Sequence, residues 1–202
     1  MHLNELYQTI FRAYGPQGWW PVAEKSALHS TYKTRAHLTR AQKWEICVGA
    51  ILTQNTSWKN AEKALHALHG AHVLNVKKMA CMPRTRLARL IRSAGYFNQK
   101  AKRVKAFAMY VGRRYEGNIS LLLSKPLHVL RAELLSLHGI GPETADSVLL
   151  YAAGKPSFVV DAYTHRIMER VYKRPHESYA ALKDWMESRL PVDAVLFNDF
   201  HA

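Results

Sequence analysis

The chain has 202 residues, of which 48% are apolar and 22% charged, so it is long enough to bury a core within one domain or two small lobes. This composition excludes a disordered or fibrous protein. Lys and Arg number 29 against 15 Asp and Glu, a formal net charge of +14, which favours a polyanionic partner, nucleic acid first, over acidic small molecules.

Apolar residues recur at three- and four-residue spacing along almost the whole chain, and this period predicts a nearly all-α protein. The first helix runs from Leu3 through Phe11 and stops at Gly15-Pro16, because that pair breaks helices. Residues 23–39 are polar and poorly periodic. The later helices are predicted from Trp44 to Leu52, from a cap at Thr56 or Ser57 to Gly70, and over 83–95, 98–115, 126–136, 142–153, 161–173 and 178–190. Residues 157–160 are predicted to form a short buried extended link.

Cys47 and Cys81 are the only cysteines, too few for a four-thiolate zinc or iron–sulfur site and too distant for a CxxC redox pair. Both are predicted to be buried thiols. The N-terminus lacks the basic-then-apolar order of a signal peptide, and no stretch reaches about 18 uninterrupted apolar residues. We therefore expect a soluble cytoplasmic protein that does not bind a membrane.

Three histidines, His66, His69 and His72, raise the question of a metal site. Their spacing of three carries them around a helix, Gly70 interrupts it, and no carboxylate supports them. Helical histidine ligands prefer a spacing of four. We therefore expect no metal ion there.

The most specific feature is a Gly-x-Gly turn between two predicted helices, His138-Gly139-Ile140-Gly141, followed by Pro142. Glycines allow positive φ and close backbone approach, and the N–H groups that open the next helix can bind an anion such as a DNA phosphate. Such contacts position a duplex without reading its sequence. The alternative is an ordinary αα-hairpin in which the glycines only make the turn.

A second feature is the apolar run 158–160, which leads into Asp161 at the start of a predicted helix. An aspartate at this position is most often only a cap. Because Asp161 follows the Gly-x-Gly turn by about twenty residues, however, its carboxylate would lie beside a DNA sugar held by that turn. Negative charge there would stabilise a developing oxocarbenium ion.

With these residues in place, the chain resembles the helix-hairpin-helix DNA glycosylases of the endonuclease III superfamily. The matching segments, in the family's order, are Ala50-Ile51-Leu52-Thr53-Gln54-Asn55-Thr56, Gly95-Tyr96-Phe97-Asn98-Gln99-Lys100-Ala101, the hairpin, Val159-Val160-Asp161 and Phe197-Asn198-Asp199-Phe200-His201-Ala202. The resemblance implies that Asp161 is the catalytic carboxylate and that Gln54 lies on the loop filling the gap left by a flipped nucleotide. The residues it assigns to DNA binding are Gln54, Asn55, Lys100, His138, Gly139, Ile140, Gly141, Glu143 and Thr144.

The family pattern also predicts the architecture. Residues 36–141 would form a six-helix-barrel lobe ending in the hairpin, and residues 1–35 with 142–202 would form a second helical lobe carrying Asp161. Damaged double-stranded DNA would bind between the lobes. We expect a monomer.

Two departures from the family pattern decide the subfamily. Bifunctional members carry a lysine in the hairpin that forms a Schiff base with the sugar, whereas this chain has Glu143 at that position. A carboxylate cannot form an imine, so the resemblance implies a monofunctional enzyme that uses water as nucleophile. The iron–sulfur cysteines of many relatives are also missing, since Cys47 and Cys81 cannot hold a 4Fe-4S cluster, and no cofactor is expected.

Glu143, together with the Trp19-Trp20-Pro21 and Gln54 to Trp58 segments, looks most like the 3-methyladenine DNA glycosylase III branch. A 3-methylated adenine nucleoside is cationic and leaves without a general acid, and aromatic faces would hold it by stacking and cation–π attraction. Trp20 and Trp58 are the predicted pocket residues; the alternative makes them core aromatics.

The helix starting near residue 98 is strongly basic. Such a charge run is commonly a solvated face, but the net charge favours phosphate contact, with Lys100 as the best candidate.

The function that the resemblance implies is base-excision repair by hydrolysis of the N-glycosidic bond of alkylated purines. Two alternatives stay open: a bifunctional endonuclease III-like enzyme for oxidised pyrimidines, and a catalytically silent DNA-binding module.

Overall fold

The computed structural model describes residues 2–23, 30–31 and 37–202 and is 66% helical, which confirms the all-α class. Two short strands, β1 (Val22–Ala23) and β2 (Ser30–Thr31), pair antiparallel. The α-helices of the described residues are α1 (Leu3–Tyr14), α2 (Arg40–Leu52), α3 (Trp58–Gly70), α4 (Val76–Cys81), α5 (Arg84–Leu90), α6 (Phe97–Arg114), α7 (Ile119–Leu123), α8 (Leu127–Leu135), α9 (Pro142–Ser147), α10 (Ala162–Tyr172), α11 (Tyr179–Glu187) and α12 (Ala194–His201).

Local capping explains where several of these helices begin. Thr39 and Gln42 form a capping box on α2, in which the Thr39 Oγ1 accepts from Gln42 N at 3.3 Å and Gln42 Oε1 accepts from Thr39 N at 2.9 Å. Ser178 caps α11 by a single hydrogen bond, in which its hydroxyl oxygen accepts from Ala181 N at 3.2 Å. Such caps satisfy N–H groups that have no partner inside the helix and stabilise it by about 1 kcal/mol each.

Helix α2 runs through the centre of the fold. Every residue from Trp44 to Leu52 is buried, and the helix packs on α3, α6, α7 and α9. Trp44 stacks on Phe107 of α6 with ring centroids 5.4 Å apart. Because α2 is buried on all sides, the loop that follows it has a fixed position relative to α6 and α9.

Most predicted boundaries fall within a few residues of the observed helices, but two predicted helices change helix type part of the way along. The segment predicted as one helix over 83–95 is α5 followed by a 3₁₀ turn (Arg92–Ala94), and the segment 142–153 is α9 followed by a π-helical stretch (Val148–Ala152). Residues 157–160 are buried, as predicted, and belong to neither a helix nor a strand. The interval 23–39 falls largely outside the described residues.

The chain ends meet, since α1 packs on α12. α12 in turn contacts the π-helical stretch, which packs on α2. The division into lobes at residue 141 stays a prediction. Within the described ranges, no helix is long and apolar enough to cross a membrane.

Candidate active site

Asp161 is the N-cap of α10, where the buried run 158–160 ends. The three residues of that run are each 1% exposed, so their burial fixes the point at which the chain enters the helix. The Oδ1 atom of Asp161 accepts hydrogen bonds from the N and Oγ1 atoms of Thr164, at 2.7 and 2.9 Å. The side chain is 25% exposed. The other oxygen, Oδ2, therefore remains for chemistry, and the positive end of the helix dipole stabilises its charge.

The Gly-x-Gly turn joins α8 to α9, as the sequence predicts. Gly139 has a φ of +86°, whereas Gly141, the N-cap of α9, has a φ of −91°. Only the first glycine therefore needs the left-handed region. Ile140 is 6% exposed and anchors the turn in the core, while His138 beside it is exposed. Binding of phosphate by this turn stays a prediction.

Gln54 connects the loop after α2 to the hairpin. Its Nε2 atom donates to Gly139 O at 3.0 Å and to the Oγ1 atom of the buried Thr144 at 2.9 Å, and its Oε1 atom accepts from Arg103 Nη1 at 2.5 Å. The loop, α6 and the hairpin thus form one hydrogen-bonded unit. Asn55, the next residue, is exposed with a φ of +51°. The predicted role of these two residues beside a flipped nucleotide stays a prediction.

The structure corrects the prediction for Lys100. Its side chain is 1% exposed, and Nζ donates to the backbone oxygens of Leu52 and Ala94 at 2.9 and 2.6 Å. Burial, and secondarily the charge of Arg103, lowers the pKa of Lys100 to about 8. The ammonium satisfies carbonyl groups at the end of α2 and in the 3₁₀ turn, so the prediction that Lys100 contacts phosphate is wrong.

Trp20 and Trp58 lie in one aromatic cluster. Their rings meet edge to face with centroids 5.3 Å apart, and Trp20 also lies 5.3 Å from the ring of Tyr151. Trp20 packs over Gly49, where a Cβ atom would come within 3.1 Å of the indole. A cavity of about 400 Å³ opens beside the cluster, lined in part by Trp20, Tyr151 and Asp199. Trp20 borders this cavity, whereas Trp58 supports Trp20 from behind it.

Glu143 lies in the first turn of α9 and is solvent-exposed. Partial loss of hydration among the surrounding protein atoms, together with the charge of Asp161, nevertheless raises the pKa of Glu143. The carboxylate of Glu143 is therefore within electrostatic range of Asp161. This is the position at which a bifunctional relative would carry its lysine.

Two side chains that sequence reasoning did not assign also face Asp161. His201 at the end of α12 lies with its Nε2 atom 3.9 Å from Asp161 Oδ2, and its Nδ1 atom is 2.6 Å from the hydroxyl oxygen of Tyr151. His201 lies within a segment that carries the family resemblance, but no local spacing links it to Asp161 forty residues earlier. The packing of α12 against the π-helical stretch brings His201 to Tyr151, and the fold places Asp161 on the other side of the imidazole.

The described residues contain no group of three His, Cys, Asp or Glu side chains arranged to hold a metal ion. Cys47 is buried as predicted, but Cys81 is exposed and that prediction is wrong, because Cys81 ends the short helix α4. Both thiols are free, and two cysteines are too few for the four ligands of an iron–sulfur cluster.

His69 has a carboxylate partner that its sequence neighbourhood did not reveal, since Glu45 Oε2 lies 2.9 Å from its Nε2 atom.

A Gly-x-Gly hairpin, a buried core helix whose loop is hydrogen-bonded to that hairpin, and an aspartate that caps the helix after a buried run are the features of a helix-hairpin-helix protein of DNA repair. The chain belongs to the HhH-GPD superfamily of base excision DNA repair proteins, whose family model matches residues 48–191. It is therefore a base-excision DNA glycosylase by family.

Known relatives agree with this assignment. A candidate DNA repair glycosylase of Methanocaldococcus jannaschii is 40% identical over 203 residues, covering 99% of this chain and 84% of the relative. Endonuclease III of Thermotoga maritima is 30% identical over 144 residues, covering 69% of this chain and 63% of that enzyme. Among solved structures, the H. pylori 3-methyladenine DNA glycosylase bound to 1,N6-ethenoadenine is similar, with a TM-score of 0.75 and 26% identity over 98% of this chain and 91% of that chain.

Proposed function

We propose that the protein is a monofunctional glycosylase that removes alkylated purines, such as 3-methyladenine, from double-stranded DNA and leaves an uncut abasic strand. The observation that carries the proposal is Glu143, a carboxylate in the place of the imine-forming lysine, whose pKa is raised by burial and then by the charge of Asp161. With no amine at that position, water is the nucleophile.

In the proposed reaction, the bond between C1′ and the purine N9 breaks and its electron pair leaves with the base. Because the 3-methylated base is already cationic, it departs as a neutral molecule and needs no general acid. Asp161 Oδ2 stabilises the oxocarbenium-like sugar and orients water, whose oxygen bonds to C1′ while its proton passes to the carboxylate or to solvent.

The cavity beside Trp20 supports a flat, electron-poor base as substrate. Aromatic rings at its wall offer stacking and cation–π attraction. The similarity to the H. pylori enzyme, whose structure holds an ethenoadenine, points in the same direction. Trp20 would contact the flipped base directly, and Trp58 would keep Trp20 in place. No cofactor takes part.

The DNA backbone would be held by the hairpin and by the surrounding basic surface. His138, Gly139, Ile140, Gly141, Glu143 and Thr144 lie at or beside the turn. Gln54 and Asn55 would contact the duplex where the damaged nucleotide leaves the stack. We propose that one monomer performs the reaction.

The first test measures release of methylated bases from alkylated duplex DNA by chromatography, with strand nicks scored before and after alkali. Free 3-methyladenine with nicks only after alkali is the expected result. Nicks without alkali, or a borohydride-trapped protein–DNA adduct, would instead establish the bifunctional alternative. If no methylated base is released, a panel of oxidised and deaminated bases follows, and binding without release of any base would identify a silent DNA-binding module.

The second test replaces the proposed catalytic carboxylate by its isosteric amide. Asp161→Asn keeps the cap acceptor for Thr164 but removes the negative charge, so base release should fall by about 10³-fold or more. The dissociation constant for damaged duplex should change little. A variant that excises at the normal rate would show that Asp161 is only a cap.

A further inference from the structure

His201 occupies a buried position between Tyr151 and Asp161. Its side chain is 13% exposed, and its Nδ1 atom lies 2.6 Å from the Tyr151 hydroxyl oxygen. Its Nε2 atom is buried without a hydrogen-bond partner among the described residues. The Oδ2 atom of Asp161 lies 3.9 Å from Nε2. This distance is longer than a hydrogen bond, so in the free protein the imidazole and the carboxylate interact through charge and dipole.

The tautomer of His201 follows from its partner. Burial, and then the charges of Asp161 and Asp199, raises the pKa of Tyr151 well above its ordinary value, so the phenol stays protonated. An Nδ1–H tautomer would direct the lone pair of Nε2 at the carboxylate oxygen 3.9 Å away, whereas the Nε2–H tautomer directs a donor at it and lets the Tyr151 hydroxyl donate to Nδ1. Burial also lowers the pKa of His201, although the charge of Asp161 opposes this. The neutral ring therefore carries its single proton on Nε2, directed at Asp161.

We propose that His201 is a positioning residue for the catalytic carboxylate: Tyr151 fixes the imidazole, and the Nε2 proton holds Asp161 Oδ2 at the sugar. This inference rests on the proposed role of Asp161. Thr164 already holds Oδ1. With both oxygens directed, the carboxylate would meet the oxocarbenium ion without first reorganising.

The arrangement predicts a pH dependence with a definite sign. The titratable groups that face the pair are Tyr151 from the π-helical stretch, Asp161 from the cap of α10, Glu143 from α9 and Asp199 from α12. As pH falls through the pKa of His201, below the ordinary 6.5, Nδ1 gains a proton and can no longer accept from Tyr151. The resulting imidazolium also neutralises Asp161, so the excision rate should fall.

The kinetic test compares His201→Gln, His201→Phe and Tyr151→Phe under single-turnover conditions, on the duplex that wild type processes fastest. His201→Phe keeps the ring volume but lacks the donor, and it should excise at least about tenfold more slowly with DNA affinity unchanged. His201→Gln can donate a hydrogen bond from its amide, so it should excise faster than His201→Phe. Because the amide does not titrate, its excision rate should not fall at low pH in the range assigned to His201. The exposed His128→Gln is the matched control. A His201→Phe enzyme that excises like wild type would overturn the proposal.

A second readout does not depend on turnover. Nitrogen NMR of the free protein should show His201 as the neutral Nε2–H tautomer, with a pKa below the ordinary value of a histidine. Asp161→Asn removes the charge that opposes the effect of burial, so the pKa of His201 should fall further. An Nδ1–H tautomer, or a titration unaffected by Asp161→Asn, would overturn the proposal. If the wild-type protein releases no base from any duplex, the proposed function is wrong. The NMR measurement still tests whether His201 interacts with Asp161, because it does not depend on turnover.

Discussion

At the scale of single residues, the proposed function depends on one position, where this chain has Glu143 in place of the lysine of bifunctional relatives. An amine at this position would attack C1′ and form an imine, whereas a carboxylate can only contribute charge. Glu143 is solvent-exposed, and its pKa is raised by loss of hydration and then by the charge of Asp161, so its carboxylate lies within electrostatic range of the proposed catalytic residue.

This placement predicts that Glu143→Lys introduces lyase activity. The variant should give a borohydride-trapped adduct with damaged duplex and nicks that appear without alkali. Glu143→Gln, which removes the charge and adds no amine, is the control and should give neither. Trapping is measured by gel shift under denaturing conditions. Equal trapping by wild type and Glu143→Lys would mean that another lysine forms the imine.

Single residues also show where sequence reasoning stops. Asp161 was predicted from the run that precedes it and from the family motif. Lys100 lies in an equally good motif match, yet it is buried, because carbonyl oxygens from α2 and the 3₁₀ turn, 48 and 6 residues away, converge on it. No spacing within α6 indicates that convergence.

At the scale of elements, the long amphipathic helices were predictable because their period persists over several turns. The helices α4 and α7 have only six and five residues, too few to establish a period. The end of α12 was identified only as a segment that matches the family, so neither the helix nor its packing was predicted. The bonds from Gln54 to the hairpin join residues 85 and 90 positions apart, a distance that only the folded chain closes.

The hairpin offers a matched pair of glycine substitutions. At Gly139 the φ is +86°, and an added Cβ atom would lie 2.5 Å from Arg103 Cγ. Gly139→Ala should therefore lower the free energy of unfolding by about 1–2 kcal/mol from the backbone alone, and it should weaken duplex binding by displacing Arg103 from Gln54.

Gly141→Ala is the control for this prediction. Gly141 has a negative φ and no heavy atom within 4 Å of the position of a Cβ, so the stability of Gly141→Ala should stay within about 0.5 kcal/mol of wild type. Urea denaturation and fluorescence anisotropy with a labelled duplex give the two readouts. Equal losses of stability for both variants would contradict the assigned role of φ at Gly139. Duplex binding is compared with wild type for Gly139→Ala alone, because Gly141 itself belongs to the proposed DNA-binding turn.

At the scale of the whole molecule, one buried carboxylate joins the hairpin to the segment that delivers Asp161. Asp146 on α9 is fully buried and accepts two hydrogen bonds from Arg131 of α8, at 2.8 and 3.0 Å. It also accepts from Ser157, at the start of the extended link, and from Tyr179 of α11. Lys183 donates to Ser157 at 2.8 Å and completes the network.

This network predicts the largest stability loss for a single polar substitution in the described fold. Asp146→Asn leaves Arg131 without its buried counterion and removes the 3.7 Å contact of Lys183, which keeps Glu187 as an ion-pair partner at 2.6 Å, so the free energy of unfolding should fall by about 3–5 kcal/mol. Combining it with Arg131→Gln should cost less than the sum of the two single changes, because each removes the same pair. The exposed Asp184→Asn is the control, and urea denaturation measures all four proteins. Additive losses would show that Asp146 and Arg131 stabilise the fold independently, and the hairpin would then not be coupled to the Asp161 segment through this carboxylate.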